Sequence, residues 1–269
     1  MSAGQPEQSA DTAPVFTVAP VDGVAEVVLN RPGRLNAVDV DLLRAVGDAF
    51  LDLSEAAAAG EVRAVVLRGE GRALCAGADL VTMAADDQEP VATMAAVTRA
   101  MLAITDCPVP VVCALTGSAA GFGVSVALTA DLTVMDASAR MVFAFVDVGL
   151  GCDGGISQLL TAQVGRQVAN RLVLLGKRLD AGQARELGLV AEVVDDGAGS
   201  AGGGAVDRAR EISATLASRP PASVQGIRRA MAAVHRDALA CALDVEDVIQ
   251  RPLLVSEEFR AAAARFTGR

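Results

Sequence analysis

Residues 109–125, VPVVCALTGSAAGFGVS, constrain the fold of this chain more than any other stretch. Val109, Val111, Val112, Cys113, Ala114 and Leu115 form a short apolar run rich in β-branched residues, which predicts a buried strand rather than a helix. Thr116, Gly117 and Ser118 end that run. Gly121 and Gly123 then flank Phe122, and Val124, Val126, Ala127 and Leu128 continue at helical spacing. The chain therefore runs strand, small-residue turn, helix. Glycines in such a turn let a ligand approach the backbone closely, and the first amides of a helix have no partner within it. Free N–H groups at a helix start favour negative charge, whether a phosphate or an oxyanion that forms during a reaction.

A second stretch has the same character. Residues 64–68 (AVVLR) read as a strand that leads through GEGRAL into Cys75-Ala76-Gly77-Ala78-Asp79-Leu80. Backbone amides from two such loops are the parts from which an oxyanion hole is made. A tight connection after a strand is the plainer reading of the same glycines.

A chain of 269 residues can bury one large core, or a main domain with a smaller helical appendage. No apolar run approaches the roughly 18 uninterrupted residues of a membrane helix, and no basic-then-apolar start suggests a leader, so the expected location is the cytoplasm. A net charge of −10 argues against nucleic acid and anionic membrane surfaces as partners. It also requires local groups to hold any polyanionic ligand. Cys75, Cys107, Cys113, Cys152 and Cys241 are scattered, mostly in apolar runs, and read as reduced packing thiols rather than disulfides or metal ligands. His235 is the only histidine, which argues against a histidine-based triad and against a zinc site of the usual kind.

Polar, small residues 1–13 predict a disordered tail. Residues 14–196 alternate strand and helix patterns and predict an α/β core. Within it, residues 24–29 are a strand, and Asp39 or Asp41 caps a helix reaching about Ala59 with Leu42, Leu43, Val46, Phe50 and Leu53 on its apolar face. The charged run Asp86-Asp87-Gln88-Glu89 is a candidate mobile wall of a site. Strand patterns recur at residues 132–135 and 141–145. Residues 197–204, rich in glycine, predict a flexible linker, and residues 205–269 a separate helical region.

Several motifs in order resemble the crotonase (enoyl-CoA hydratase/isomerase) superfamily: Asn30-Arg31-Pro32 with Asn36-Ala37, residues 74–80, residues 116–123, Asp131-Leu132, and Ser256-Glu257-Glu258-Phe259. The likeness covers about Val15 to Arg269. It implies a ClpP-like spiral of ββα units, a C-terminal helical region used in trimerisation, and a homotrimer or a dimer of trimers. It also implies a coenzyme A thioester as substrate, no permanently bound cofactor, and a thioester oxygen held by the N–H groups of Ala78 and Phe122. By the same resemblance, Arg34, Leu35, Ala76, Asp79 and Leu80 lie along the coenzyme.

The family's hydratases use two glutamates, and the gap-free match from Gly117 to Gly155 places Ser125 and Phe145 at those positions, as pocket wall. Neither side chain can serve as a carboxylate base, which disfavours the two-glutamate hydration route. Asp153, in GLGCDGG, matches the position where the dehalogenase branch carries its nucleophile and some isomerases their base. The histidine of the dehalogenase branch corresponds to Thr98, which disfavours dehalogenation. One aspartate suffices for a 1,3-proton shift through a thioester enolate. Capping the helix that starts near Gly154 is the structural alternative for Asp153, and Asp147 is a weaker candidate base. Three functions follow: a double-bond isomerase using Asp153, a catalytically silent acyl-CoA binder, and a hydratase that recruits other groups such as the Asp86-Asp87-Glu89 loop.

Overall fold

A computed structural model describes residues 13–83, 89–197 and 203–267. Residues 1–12 of the tail expected over 1–13, the Asp86-Asp87-Gln88 run and residues 198–202 of the expected linker lie outside the described residues.

Strands β1 (Val15–Val21) and β2 (Val24–Leu29) pair antiparallel across Asp22-Gly23, both at positive φ. A 3-10 turn at Pro32–Arg34 leads to α1 (Val40–Ala58), β3 (Ala64–Gly69), the short α2 (Leu80–Met83) and α3 (Pro90–Asp106). Then come β4 (Val111–Leu115), β5 (Ser118–Ala120), α4 (Phe122–Thr129), β6 (Leu132–Asp136) and β7 (Arg140–Val142). After a second 3-10 turn at Val146–Val148 the chain forms α5 (Ile156–Leu174), β8 (Arg178–Asp180), α6 (Ala181–Glu186) and β9 (Glu192–Val194). It closes with α7 (Gly204–Ala217), α8 (Pro221–Leu254) and α9 (Glu257–Thr267).

Of the two candidate caps for α1, Asp39 does the work, its carboxylate accepting the Leu42 N–H at 2.9 Å. The helix then buries Leu42, Leu43, Val46, Phe50 and Leu53, the expected face. Among the described residues, the main sheet runs β1-β2-β3-β4-β6-β9, parallel except for the β1–β2 pair, and a smaller sheet runs β5-β7-β8. All five residues of β4 are buried, because a central parallel strand is covered on both faces. Val65, Leu67, Val111, Cys113 and Leu115 enter the large core with α1, α3 and α4, whereas Val66, Val112, Ala114 and Val134 meet Ala205, Val206 and Ala209 of α7.

Two expectations need correction here. Helix α7, placed by sequence in a separate helical region, covers the second face of the main sheet and is part of the core. The strand expected over residues 141–145 stops at Val142, because Phe143 donates its N–H to the Lys177 carbonyl and Phe145 turns into helical φ/ψ. That turn directs the following loop back over the ends of β5 and α4. Among the described residues no helix is long and apolar enough to cross a membrane.

Candidate active site

Three loops meet beyond the ends of β3 and β4. The first, residues 75–79, is laced between two other segments. On one side Cys75 donates to the Ser118 carbonyl at 3.2 Å and accepts from Ala120 N–H at 2.9 Å. On the other, Ala76 donates to the Leu35 carbonyl, Val38 donates to the Gly77 carbonyl and Asp79 donates to the Val38 carbonyl. Gly77, at φ +86, lies so close to β5 that a Cβ would sit 2.7 Å from the Ala120 oxygen, so no side chain fits there.

The second loop, at Gly121, also at positive φ, opens α4. A Cβ on Gly123 would lie 2.4 Å from the Cys75 carbonyl, so this glycine lets the two loops touch. Among the described residues neither the Ala78 N–H nor the Phe122 N–H donates a hydrogen bond. For Ala78 both bridge bonds to Val38 run through its neighbours; for Phe122 the cause is its place as the first residue of a helix.

The third loop, residues 149–155, carries Asp153. The residue is buried, 9% exposed. Its Oδ2 accepts from Gln250 Nε2 at 2.9 Å, while Oδ1 is buried with no partner among the described residues. Burial, and after it the negative charge of Glu246, pushes its pKa up to about 7, against the opposing effect of the Gln250 hydrogen bond. Asp153 does not cap α5. Glu246 of α8 does so, accepting from Gly155 N–H at 2.6 Å, Ser157 N–H at 2.9 Å and Ser157 Oγ at 2.6 Å.

A cavity of about 220 Å³ joins the three loops, with Ala76, Ala78, Leu80, Phe122, Phe145, Leu150 and Asp153 in its lining, together with exposed Arg178. A recess of about 10 Å³ continues from Ala78, Phe122, Leu150 and Asp153 between Leu43, Met94, Val97 and Leu254. Ala76, Ala78, Leu80, Phe122, Phe145 and Asp153, all named from the sequence, thus line one cavity.

Other expected positions fall elsewhere. Ser125 is fully buried behind the Asp153 loop rather than in the cavity lining, its hydroxyl donating to the Asp153 carbonyl at 2.8 Å. Asp79 offers no free carboxylate to a coenzyme: it is 3% exposed, bound to Arg31 at 3.0 Å, with Arg34 at 3.7 Å and the Thr82 N–H at 3.3 Å. Leu35 contributes its carbonyl to Ala76 rather than its side chain to the cavity. Arg34 is largely exposed outside the cavity lining. Sequence reasoning missed Glu246 and Gln250, whose signal is a helical stripe, Leu239-Leu243-Glu246-Gln250-Leu254, in which two polar residues hold core positions.

A larger groove, about 520 Å³, lies between the end of α3 and α8. Two of its arginines are already engaged, Arg228 by Asp131 at 2.8 Å and Arg236 by Asp106 at 2.7 Å. Among the described residues no group of three His, Cys, Asp or Glu side chains is placed to hold a metal ion.

The chain as a whole is similar to known proteins. A family model for enoyl-CoA hydratase/isomerase matches residues 20–269. The 1,2-epoxyphenylacetyl-CoA isomerase of Escherichia coli strain K12 is 32% identical over 249 residues, 91% of this chain and 92% of that protein. A probable enoyl-CoA hydratase of Rhodobacter capsulatus is 34% identical over 251 residues, 91% of each. The crystal structure of an enoyl-CoA hydratase from Mycobacterium avium subsp. paratuberculosis matches with a TM-score of 0.82 at 32% identity, over 96% of both chains.

Proposed function

Because this chain belongs to the enoyl-CoA hydratase/isomerase family and carries its crotonase fold, we propose that it isomerises the double bond of an acyl-CoA thioester with Asp153 as base. The supporting observation is a buried carboxylate oxygen with no partner among the described residues, in the same cavity as two similarly unused backbone N–H groups. The thioester oxygen accepts from Ala78 N–H and Phe122 N–H, which raises the acidity of the α-carbon by stabilising the enolate. Asp153 takes the α proton of a 3-enoyl thioester, the electron pair moves into the enolate, and the same carboxyl returns the proton to the γ-carbon. The 2-enoyl thioester results, and Asp153 is ionised again. A pKa of about 7 suits a group that must both take and return a proton near neutral pH.

Ala76 and Leu80 line the coenzyme side of the cavity, and exposed Arg34 and Arg178 supply local cations for its phosphates in a chain of net charge −10. Ile227, Met231, Val234, Val245 and Val248 leave an apolar face of α8 exposed, which we assign to contact between copies in a homotrimer or a dimer of trimers. Light scattering that finds a monomer would remove that assignment.

A second reading concerns the acyl group. The likeness to an isomerase of an epoxyphenylacetyl thioester, with Phe122 and Phe145 in the cavity lining, favours a ring-bearing acyl chain. Turnover of aliphatic and aromatic thioesters, compared side by side, decides it. For the main reading, 3-enoyl and 2-enoyl thioesters are incubated with the protein, and double-bond migration and water addition are followed. Asp153→Asn is expected to lose about 10²–10⁴-fold in migration rate while thioester binding persists, the scale of a general base. Undiminished migration would discard Asp153. Tight binding with no turnover by the unaltered protein would favour the silent binder, and water addition without migration the recruited-group hydratase.

A further inference from the structure

Gln250 reaches the Asp153 loop from α8, a helix ninety-odd residues later in the chain, and is fully buried. Both ends of its carboxamide are used. Oε1 accepts the Gly151 N–H at 2.8 Å and Nε2 donates to Asp153 Oδ2 at 2.9 Å. The two bonds fix the amide's orientation, because a flipped carboxamide would set N–H against N–H at Gly151 and oxygen against oxygen at Asp153. One turn earlier on α8, Glu246 spends its two oxygens on Gly155 and Ser157, so it holds the later end of the loop and the start of α5.

Resting on the reading of Asp153 as the base, we propose that Gln250 is its positioning residue: one planar group grips a carboxylate oxygen and the backbone two residues earlier, leaving Oδ1 alone to meet the substrate carbon. Without that grip the carboxylate can rotate about χ2, and either oxygen can turn from the reacting carbon. The charged or titratable groups facing Asp153 are Glu246 from α8, Cys75 from the loop after β3, and Cys152 beside it. Burial pushes both thiols up to about 12, so they stay neutral, and Glu246 supplies the charge that disfavours ionised Asp153. The Gln250 hydrogen bond opposes that charge.

The test is steady-state isomerisation of a 3-enoyl thioester from about pH 5.5 to about pH 9 by the full chain, its Gln250→Met and Gln250→Glu variants, and Asp153→Asn. Methionine keeps the length and apolar bulk but removes both hydrogen bonds. We expect kcat to fall on the order of 10²-fold with KM little changed, the effect of a misplaced reacting group. The acid limb of the profile should move to higher pH. Gln250→Glu keeps an acceptor for Gly151 N–H and replaces the donor by a like charge, so it should move the limb further the same way, and it serves if the methionine variant does not fold. A limb that stays in place in a folded variant, with or without loss of kcat, overturns the proposal. If Asp153→Asn abolishes turnover while both Gln250 variants keep the kcat and pH profile of the unaltered protein, the positioning role alone falls. If Asp153→Asn keeps turnover, the base assignment falls and this inference with it.

Discussion

Two buried aspartates flank the same small-residue loops, and their surroundings are opposite. Asp79 sits in the RPGRLNA region against Arg31, with Arg34 beyond and a helix N–H on its other oxygen. Asp153 sits on the GLGCDGG loop with one hydrogen bond, an oxygen unpaired among the described residues, and a second carboxylate, Glu246, as its charged neighbour. The first arrangement neutralises a charge in order to hold a loop in shape. The second leaves a carboxylate buried without a counter-ion, so its ionised form costs stability, as expected if Asp153 is the base we propose.

The largest effect that should separate the two is the removal of the Asp79 counter-ion. Arg31→Ala removes the cation that Asp79 shares with Asp39, leaves Asp79 the Thr82 N–H and only the distant Arg34 as counter-ion, and should lower stability by about 3–5 kcal/mol in urea denaturation, as for a broken buried pair. A loss below about 1 kcal/mol would make the pair no better than a surface one and dissolve the contrast.

The opposite sign is expected at Asp153, with a smaller size and a pH signature. An acid whose pKa is raised by folding holds its proton more tightly in the native state. Stability is therefore greatest below the ordinary value of 3.8, falls as pH climbs towards about 7, and levels off above. Asp153→Asn removes that dependence. Its advantage in stability should grow across this window to about 2–4 kcal/mol at pH 8, about 1.4 kcal/mol for each unit of displacement being the ceiling. Thermal unfolding at pH 4, 6 and 8 measures it, and an equal shift at all three would show that Asp153 titrates alike folded and unfolded.

The same two regions differ in how much the sequence reveals. β4, the glycine turn and α4 are legible because five consecutive apolar residues and three glycines leave few alternatives, and Asp39 is legible as a cap because the helix it starts has a regular apolar face. The linked loops follow from the same glycines: Gly77 and Gly123 sit where a Cβ would strike the neighbouring backbone. The Asp153 region is different. Its cap and its hydrogen-bond donor come from Glu246 and Gln250 on α8, and only tertiary packing joins them to the loop. Their trace in the sequence is two polar residues in an otherwise leucine stripe, a pattern that states burial without naming the partner. Ser125 fits the family's spacing, yet its side chain meets the back of the loop, because position along a helix does not fix which surface it faces. The amphipathic pattern of α7 likewise gives a helix but not the sheet it covers.

If Asp153 is the base, the amides of Ala78 and Phe122 share one thioester oxygen beside the Asp153 oxygen that is unpaired among the described residues. A crystal structure of the Asp153→Asn protein with a bound 3-enoyl thioester tests it most directly. The carbonyl oxygen is expected within about 2.7–3.1 Å of both nitrogens, with the α-carbon against residue 153. An oxygen that meets only one of the two amides, or an acyl group seated in the groove of Arg228 and Arg236 instead, would contradict it.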